Sequence, residues 1–548
     1  MLIVKNKYLL LVYIYKKGYK NKINIVTNSI YIQIKKTDLE LKYSYYSNKR
    51  EDDIMRILWG DIHNHCGITY GFGSLENALK AAKSQLDFCA IIGHAMWPDM
   101  YEKNEDTKFV VNFHLEGFKK LKDHWEYIRQ TIADTNSDEF VLFQGYEIHS
   151  CHYGDYHIIS KEDKLPLIYR NSPRELVEDC GCEAIAIPHH IGYTPTYRGI
   201  NWDEFNNTIS PVVEVYSKHG CAMSESAPFP YYHNMGPRDT RNTVYKGIQQ
   251  GKRFGFVGST DHHAGFPGSY GDGMVAVLVE EKTRNSIFDA LKARRTYAVT
   301  GDKIECLFTV NNAFMGSEIK AGERNIKYNV ITDYWLDKII VYKNLKPLHI
   351  LNGEMCQELC SEGKYKIRVE MGWGNSDDLF TWNGNIRIEN GKIKKYTTYF
   401  RGRNVLAPSE DADYDINSIN AIDNSINRIS DREIEWTCQT VKNKTTLSSM
   451  TDHIVFEIQG NLETKVTINI NGKEEIHTIR ELLDAGYSNH IKPYHSHAFK
   501  VHQAIPETQY TFNLELKDTV KENECDVYHI EVAQKNGNYA FVSPIFVL

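Results

Sequence analysis

Between residues 57 and 300, short apolar runs end in or just before a histidine or an acidic residue. The runs are Ile57–Ile62, Phe88–Ile92, Phe140–Gln144, Ala184–Ile187, Val212–Tyr216 and Gly255–Gly258. Helical patterns separate them, at Leu75–Gln85 after Ser74, at Leu115–Ala133 and at the capping box Ser172-Pro173-Arg174-Glu175. This alternation predicts a parallel α/β architecture. Since the carboxyl ends of parallel strands share one edge, we expect the polar residues to meet there.

These polar residues are imidazoles and carboxylates. They occur in the segments His63-Asn64-His65, Gly93-His94, Gly145-Tyr146-Glu147, Gly154-Asp155-Tyr156-His157, Pro188-His189-His190 and Ser259-Thr260-Asp261-His262-His263. His63 and His65 project to one side of an extended strand, because side chains alternate. Burying so many polar groups without partners is costly, and metal ions are suitable partners. Ligands of this kind without thiolates suit zinc, manganese or iron, and the size of the cluster predicts two or three ions.

The ordered series of motifs resembles the PHP superfamily, named for polymerase and histidinol phosphatase domains. The resemblance covers about residues 57–297. It implies a distorted (β/α)7 barrel, similar to a TIM barrel, with a metal cluster at its mouth. The expected fold class is therefore α/β, with an all-β domain appended.

The resemblance also implies a ligand set. His63, His65, Glu147 and Asp261 would hold the first metal, and Glu147 would bridge to a second ion bound by His157 and His189. His94 and His263 would belong to a third ion or contact the substrate. His190 remains an alternative to His189, and His262 to His263. The third site is less well supported, because Gly71-Phe72-Gly73 stands where many PHP proteins have a further ligand.

A narrower resemblance extends beyond the barrel. The segment Arg294–Ile304 is similar to one that joins barrel and β-domain in a PHP-type family of unknown function. The segment from Gln534 to Ile545 resembles the end of that family. No substrate follows from this resemblance.

Residues 301–548 are predicted to form a β-sandwich-like domain, with a loop insertion near residues 401–450. The turn signals are Asn352-Gly353, Asn383-Gly384, Asn390-Gly391, Asn471-Gly472 and Asn536-Gly537, which type I′ hairpins prefer. Residues 1–55 are predicted to be an N-terminal β-extension, in which Ile30–Lys35 alternates as a strand does. The apolar run within Met1–Tyr19 is expected to be a strand rather than a signal sequence.

Composition excludes some functions. A formal net charge of −7 gives no basic surface for nucleic acid. No stretch reaches the ~18 apolar residues that cross a bilayer. The 11 cysteines include no C-x-x-C pair, which argues against a disulfide framework and a zinc knuckle. We therefore expect a cytoplasmic protein that acts on a small molecule, independently of membranes.

The predicted function is a metal-dependent hydrolase, most simply a phosphoesterase that uses a metal-bridging hydroxide. Asp261 would accept the proton, and His190 or His263 would protonate the leaving group. The alternatives are a metallohydrolase of C–O or C–N bonds (lactone, ester or amide) and a non-catalytic binding module that contains metal.

Several residues are candidates for contacting an anionic substrate. They are Tyr146, His149, His152, His190, Tyr193, Arg238 and Arg241, with the two arginines as anion anchors. Asp61 is expected either to orient a ligand histidine or to make a strand-end hydrogen bond. The β-domain is expected to shape the cleft, to bind a glycan-like partner or to mediate homo-oligomer formation.

Overall fold

The computed structural model describes residues 22–26, 29–36, 39–43, 55–229, 236–320, 322–353, 362–373, 379–405, 422–441, 450–493 and 496–548. The predicted strand within residues 1–19 lies outside these ranges. The N-terminal strands are β1 (Lys22–Val26), β2 (Ser29–Lys36) and β3 (Leu39–Tyr43). β2 includes the alternating run Ile30–Lys35.

The elements of the region that carries the strand-end motifs are, in chain order, β4 (Arg56–Asp61), α1 (Leu75–Lys83), β5 (Phe88–Met96), α2 (Lys108–Thr135), β6 (Val141–Ile148), β7 (Tyr156–Ser160), α3 (Pro173–Asp179), β8 (Ala184–Pro188), β9 (Val212–Ser217), β10 (Gly220–Cys221), α4 (Val244–Gln249), β11 (Gly255–Gly258), β12 (Met274–Val279), α5 (Arg284–Lys292) and β13 (Thr296–Val299). A 3₁₀ turn precedes α4 at Thr240–Asn242. Ser74 and Ser172 cap α1 and α3 as predicted, each accepting a backbone N–H three residues on.

The remaining elements are almost all strands. They are β14 (Glu305–Val310), β15 (Ala313–Phe314), β16 (Glu318–Ile319), β17 (Arg324–Ile331), β18 (Leu336–Lys343), β19 (Lys346–Asn352), β20 (Glu362–Gly372), β21 (Phe380–Tyr399), β22 (Ser425–Arg428), β23 (Glu433–Thr440), β24 (Asp452–Ile470), β25 (Lys473–Thr478), α6 (Ile479–Asp484), β26 (Tyr487–His490), β27 (Ala498–Val501), β28 (Ile505–Pro506), β29 (Thr511–Asp518), β30 (Asp526–Gln534) and β31 (Tyr539–Val547). A 3₁₀ turn lies at Glu507–Gln509.

The sheet that carries most of the motifs is mixed rather than parallel. β4, β5 and β6 are parallel neighbours, but β7 is antiparallel to both β6 and β8. The sequence reading omitted β7, whose connection to β6 is only seven residues long. So short a connection favours an antiparallel pair, because parallel strands need a long crossover. β12 is likewise antiparallel to β4 and β13.

Hydrogen bonds do not close these strands into a barrel within the described part of the chain. β9, β10 and β11 form a separate three-stranded sheet, in which β9 and β11 are parallel. Side chains from both sheets nevertheless share one apolar core, which α5 also joins. Its members include Leu58, Ile92, Phe143, Ile159, Ile187, Val212, Val257, Val275 and Phe288. The chain is thus a mixed α/β structure whose first-half strands surround a common interior.

The C-terminal strands are continuous with this sheet. β31 pairs with β13 and β30, and β30 pairs with β18, so the main sheet reaches twelve strands. A seven-stranded sheet places β3 beside β29 and includes β14 and β17. Its side chains Phe308 and Tyr328 share a core with Ile339 and Ile530 of the extended main sheet. A nine-stranded sheet around β21 and β24 has its own core.

Two expectations about the C-terminal half need correction. Asn471 and Gly472 form the expected hairpin turn, with positive φ at both residues, but Asn383-Gly384 and Asn390-Gly391 lie inside β21. At residue 390 the strand makes a bulge. The predicted loop insertion at 401–450 contains β22 and β23, whereas residues 406–421 and 442–449 lie outside the described ranges.

Residues 400–405, which we call the clamp segment, follow β21 and pack against the loop that carries Asp261. The carbonyl of Phe400 accepts the backbone N–H of Tyr270 at 3.0 Å. The Gly402 N–H donates to Ser269 Oγ at 3.2 Å. Val405 packs with Phe72 and Ala264. The second half of the chain therefore supports loops on which metal-ligand candidates lie.

Candidate metal centre

The predicted ligands converge because neighbouring strands place them in register. His94 of β5 lies opposite Glu147 of β6, and Glu147 lies opposite His157 of β7. His63 and His65 follow β4, and the backbone N–H of Asp261 donates to the His63 carbonyl at 2.8 Å. This contact ties the two loops together. The cluster brings together all eight predicted metal ligands, which are His63, His65, His94, Glu147, His157, His189, Asp261 and His263.

Glu147 lies at the centre of the cluster. Its Oε2 lies 3.2 Å from His94 Nε2 and 3.5 Å from the Nε2 atoms of both His63 and His65. Its Oε1 lies 3.1 Å from His189 Nε2. The carboxylate is buried and its two oxygens face different imidazoles. It therefore has the position that a bridging ligand requires.

Asp261 is a second point of convergence. Its Oδ1 lies 3.1 Å from His65 Nε2, and its Oδ2 lies 3.0 Å from His190 Nε2 and 3.1 Å from His219 Nε2. The backbone φ angle of Asp261 is +49°, and that of His190 is +53°. Left-handed backbone at residues other than glycine is uncommon and concentrates at functional sites.

The donor set fits divalent metal ions. Several groups of three ligand atoms lie within 4.8 Å of one another, among them His63 with His157 and His189, His65 with His94 and His263, and His63 with His65 and Asp261. Several buried atoms of the cluster, among them Glu147 Oε2 and His157 Nε2, have no hydrogen-bond partner of suitable geometry. Buried polar atoms normally have partners, and a metal ion would supply them here.

The tautomers of the first two histidines also suit metal binding. His65 Nδ1 lies 2.7 Å from the Ile92 carbonyl, to which it can only donate. His63 Nδ1 lies 2.9 Å from Glu214 Oε2. The His65 contact leaves Nε2 of that ring with its lone pair toward the cluster, and the His63 contact directs Nε2 of that ring toward the cluster. A carboxylate behind a ligand imidazole raises its basicity and fixes the ring.

Electrostatics favours an ionised Glu147 and neutral imidazoles at His94 and His157. Burial alone would raise the pKa of Glu147, but His94, His149 and His189 hold it well below its usual range. Burial lowers the pKa values of His94 and His157 well below the usual value. These protonation states are the ones in which both residue types bind metal.

The two open choices between adjacent histidines have different outcomes. His189 and His190 both lie in the cluster, with His190 held between Asp261 and Asp155 Oδ2, 3.1 Å from Nδ1. His262 faces away, and its Nδ1 accepts the Ala264 N–H at 3.2 Å. His263 is the member of that pair that the structure brings to the cluster.

Asp61 does not contact an imidazole. Its carboxylate accepts backbone N–H groups of His63 at 3.2 Å, Thr260 at 3.1 Å and Gly268 at 2.9 Å. Burial raises its pKa to about 6. The strand-end alternative therefore describes Asp61, and Glu214 takes the place behind a ligand histidine.

Most candidate substrate residues lie away from the cluster. His149 joins it, with Nδ1 3.5 Å from Glu147 Oε1, and the Tyr193 ring packs edge-on against His190. Tyr146 does not, because it precedes Glu147 on β6 and so faces the opposite core, where it packs against Trp125.

Arg241 and His152 are exposed, and the Arg238 guanidinium is bound to a backbone carbonyl. The Arg241 side chain is 82% exposed and paired with Asp239. Arg238 donates to the Ser224 carbonyl. His152 is 58% exposed, near Glu204.

Sequence reasoning missed several residues of the site. His219 follows β9, so the strand-end rule that selected the other ligands could have selected it. Asp155 was noticed only as part of a motif. Arg198 and Tyr70 lie in irregular loops, where no periodic pattern marks them. The Arg198 side chain reaches the cluster beside Asp155, with Nη1 3.6 Å from Oδ2.

Replacing Glu214 with glutamine is expected to weaken metal binding about 10- to 100-fold, the usual cost of losing a partner behind a ligand histidine. The amide can still accept from His63 but no longer carries the charge. Metal titration of the metal-free protein measures the effect. Glu178→Gln, at a side chain 52% exposed on α3, is the matched control. Equal affinity in both variants would contradict the assignment of Glu214.

Residues 268–329 match a family described only as a protein of unknown function, DUF3604. This range includes Arg294–Ile304, on which the narrower resemblance depended. An uncharacterised protein of Chlamydia pneumoniae is 29% identical over 261 residues, which are 41% of this chain and 40% of that protein. One from Chlamydia trachomatis is 26% identical over 289 residues, covering 48% of this chain and 42% of the relative. The aligned part thus spans less than half of each relative.

A solved structure that the chain resembles is a two-domain protein from Bacteroides vulgatus, described as containing a predicted PHP-like metal-dependent phosphoesterase. It is 17% identical, and the alignment covers 56% of this chain and 90% of that one, with a TM-score of 0.31. Among the described residues, no helix is long and apolar enough to cross a membrane.

Proposed function

We propose that the chain is a metal-dependent hydrolase. More narrowly, we propose a phosphoesterase whose metal site lies at the ends of strands, as it does in a barrel enzyme. The observation that supports this most directly is Glu147, a buried carboxylate whose two oxygens face separate imidazoles. A carboxylate in this position suits two ions held side by side, an arrangement typical of enzymes that hydrolyse phosphate esters.

The residues divide into two ligand groups that share Glu147. His63, His65 and Asp261 would hold the first ion, and His157 and His189 the second. His94 and His263, with His65, form a further group for a third ion or for the substrate. When bound, the divalent ions supply Lewis acidity, which polarises the scissile bond and lowers the pKa of water.

The protein's own residues would move the protons. Asp261 is placed to accept a proton from the attacking water while it faces the first ligand group. His190 lies between two carboxylates, Asp155 and Asp261, and donates most readily from both nitrogens when it is protonated. This position suits a general acid for the leaving group.

Arg198 replaces the two arginines expected from sequence as the anion anchor. Its side chain is 14% exposed, and its contact with Asp155 is a loose ion pair. Within the described part of the chain, its side chain makes no hydrogen bond. Its N–H groups therefore remain available for the non-bridging oxygens of a phosphate.

Metal analysis combined with a substrate panel tests the proposed function. We expect about two equivalents of zinc, manganese or iron per chain and metal-dependent phosphate release from phosphomonoesters or diesters. Turnover of lactones, esters or amides without any phosphate release would contradict the phosphoesterase proposal and favour a C–O or C–N hydrolase. Bound metal with no turnover of either class would favour a binding module.

Replacing Arg198 with lysine tests the anchor, because lysine keeps the charge and loses the two-pronged geometry. We expect KM for a phosphate ester to rise about tenfold or more, the value of one charge-assisted hydrogen bond. Metal content should not change. Arg241→Lys is the control, and an equal KM in both variants would remove Arg198 from the substrate site.

A further inference from the structure

A series of aromatic rings leads from the metal cluster to the surface. Tyr70 stacks on the ligand candidate His94, with 3.8 Å between ring centroids, and Phe113 packs on Tyr70 at 4.5 Å. Phe109 follows at 6.2 Å from Phe113. Exposure increases along the series, from 3% at His94 to 66% at Phe109. We call Tyr70, Phe113 and Phe109 the aromatic stair.

The sequence builds the stair on one face of α2. Phe109 and Phe113 are four residues apart, so they lie one above the other on the helix surface. Gly117 continues this row, and a Cβ there would lie 2.3 Å from Tyr70 Cδ1. A glycine inside a helix costs about 1 kcal/mol relative to alanine. At Gly117 the missing side chain leaves the space that the Tyr70 ring occupies against the helix.

Core packing does not account for the outer end of the stair. A phenylalanine that is 66% exposed contributes little buried area, and its ring packs on Phe113. The inner end is in contact with the catalytic region, since Tyr70 OH lies 3.5 Å from His149 Nε2. The rings are therefore continuous with the proposed site.

We propose that the aromatic stair binds the leaving group of the substrate and that this group contains a planar aromatic ring, such as an aryl group or a nucleobase. This inference rests on the proposed hydrolase function. A phosphate bound by the metal ions and Arg198 would place its ester substituent next to His94 and Tyr70. Phe113 is partly exposed and Phe109 largely exposed, so these two rings offer the surface on which a planar group would stack.

Binding of two non-hydrolysable probes separates the stair from catalysis. Isothermal titration of the metal-loaded protein with phenylphosphonate and methylphosphonate compares the same anion with and without a ring. We expect phenylphosphonate to bind about tenfold more tightly, as expected for one stacked ring. Phe113→Ala should remove most of this preference, and Phe109→Ala, at the outer end of the stair, should reduce it. Leu115→Ala, at a side chain 51% exposed elsewhere on α2, should keep it.

Kinetics adds a second readout. With phenyl phosphate and methyl phosphate, the two phenylalanine variants should raise KM for the phenyl ester with little change in kcat. The wild-type protein could release phosphate from neither ester and still prefer phenylphosphonate. That result would contradict the phosphoesterase proposal and support the proposal that the aromatic stair binds an aromatic ring. Equal binding of the two phosphonates by the wild-type protein would overturn the proposal that the aromatic stair binds the leaving group.

Phe109 is the more informative position, because an exposed side chain can be truncated without disturbing the fold. If Phe109→Ala binds both probes as the wild-type protein does and sedimentation shows that it dissociates a dimer, Phe109 is a subunit contact. That result would also overturn the proposal.

Discussion

Replacing Glu147 with glutamine is expected to lower the rate of hydrolysis by about 10³-fold or more and to remove metal from both ligand groups. The amide nitrogen has no free lone pair to donate to a metal ion, so one of the two oxygens that face His94 and His189 is lost. Metal ions contribute several kcal/mol of charge stabilisation to such reactions, which corresponds to a loss of this size. Elemental analysis and phosphate release should fall together.

Glu178→Gln is the control for this substitution, since it makes the same chemical change at an exposed ion pair on α3. Circular dichroism of both variants separates loss of metal from loss of fold. Full activity in a Glu147→Gln protein that holds no metal would end the metallohydrolase proposal.

Replacing Asp261 with asparagine is expected to have the second largest effect, lowering the rate of hydrolysis about 100-fold. Asp261 contacts His65, His190 and His219, but not the His157 and His189 group. We therefore expect the first ion to be lost and the second to stay, so metal content should fall by about one equivalent. The loss of the charge also removes the acceptor that fixes His190, and this accounts for part of the lower rate.

The comparison of metal content between the two variants is the decisive measurement. Glu147→Gln should lose more metal than Asp261→Asn, because only Glu147 faces both ligand groups. Equal losses would show that the ions bind cooperatively or that Glu147 does not bridge. Asp163→Asn serves as the control for the carboxylate change, because the Asp163 side chain is 33% exposed and pairs with Arg284.

The strand-end rule predicted much of the site because it depends on local sequence. Strands are short and apolar, and a histidine or acid at the end of one is visible in any window of ten residues. This rule selected His63, Glu147 and Asp261, and the structure brings their side chains together. It could also have selected His219, which follows β9 in the same way.

Other features depend on contacts between distant residues and had no local signal. The antiparallel placement of β7 follows from its pairing with β6 and β8. Arg198 lies in an irregular loop and reaches the cluster through Asp155. Tyr146 was misplaced because its neighbour Glu147 is a ligand candidate, whereas alternation along a strand sends the two side chains to opposite faces.

The shared main sheet sets the order in which the site can be completed during synthesis. Every candidate ligand has left the ribosome once residue 263 has emerged, but β13 obtains its outer neighbour β31 only after residues 539–547 have been made. The clamp segment also arrives more than a hundred residues after Asp261. Because domains fold as their chain becomes available, the nascent first half holds exposed imidazoles before the loops that carry them are supported. Capture of metal is therefore expected to be a late step in the maturation of the protein.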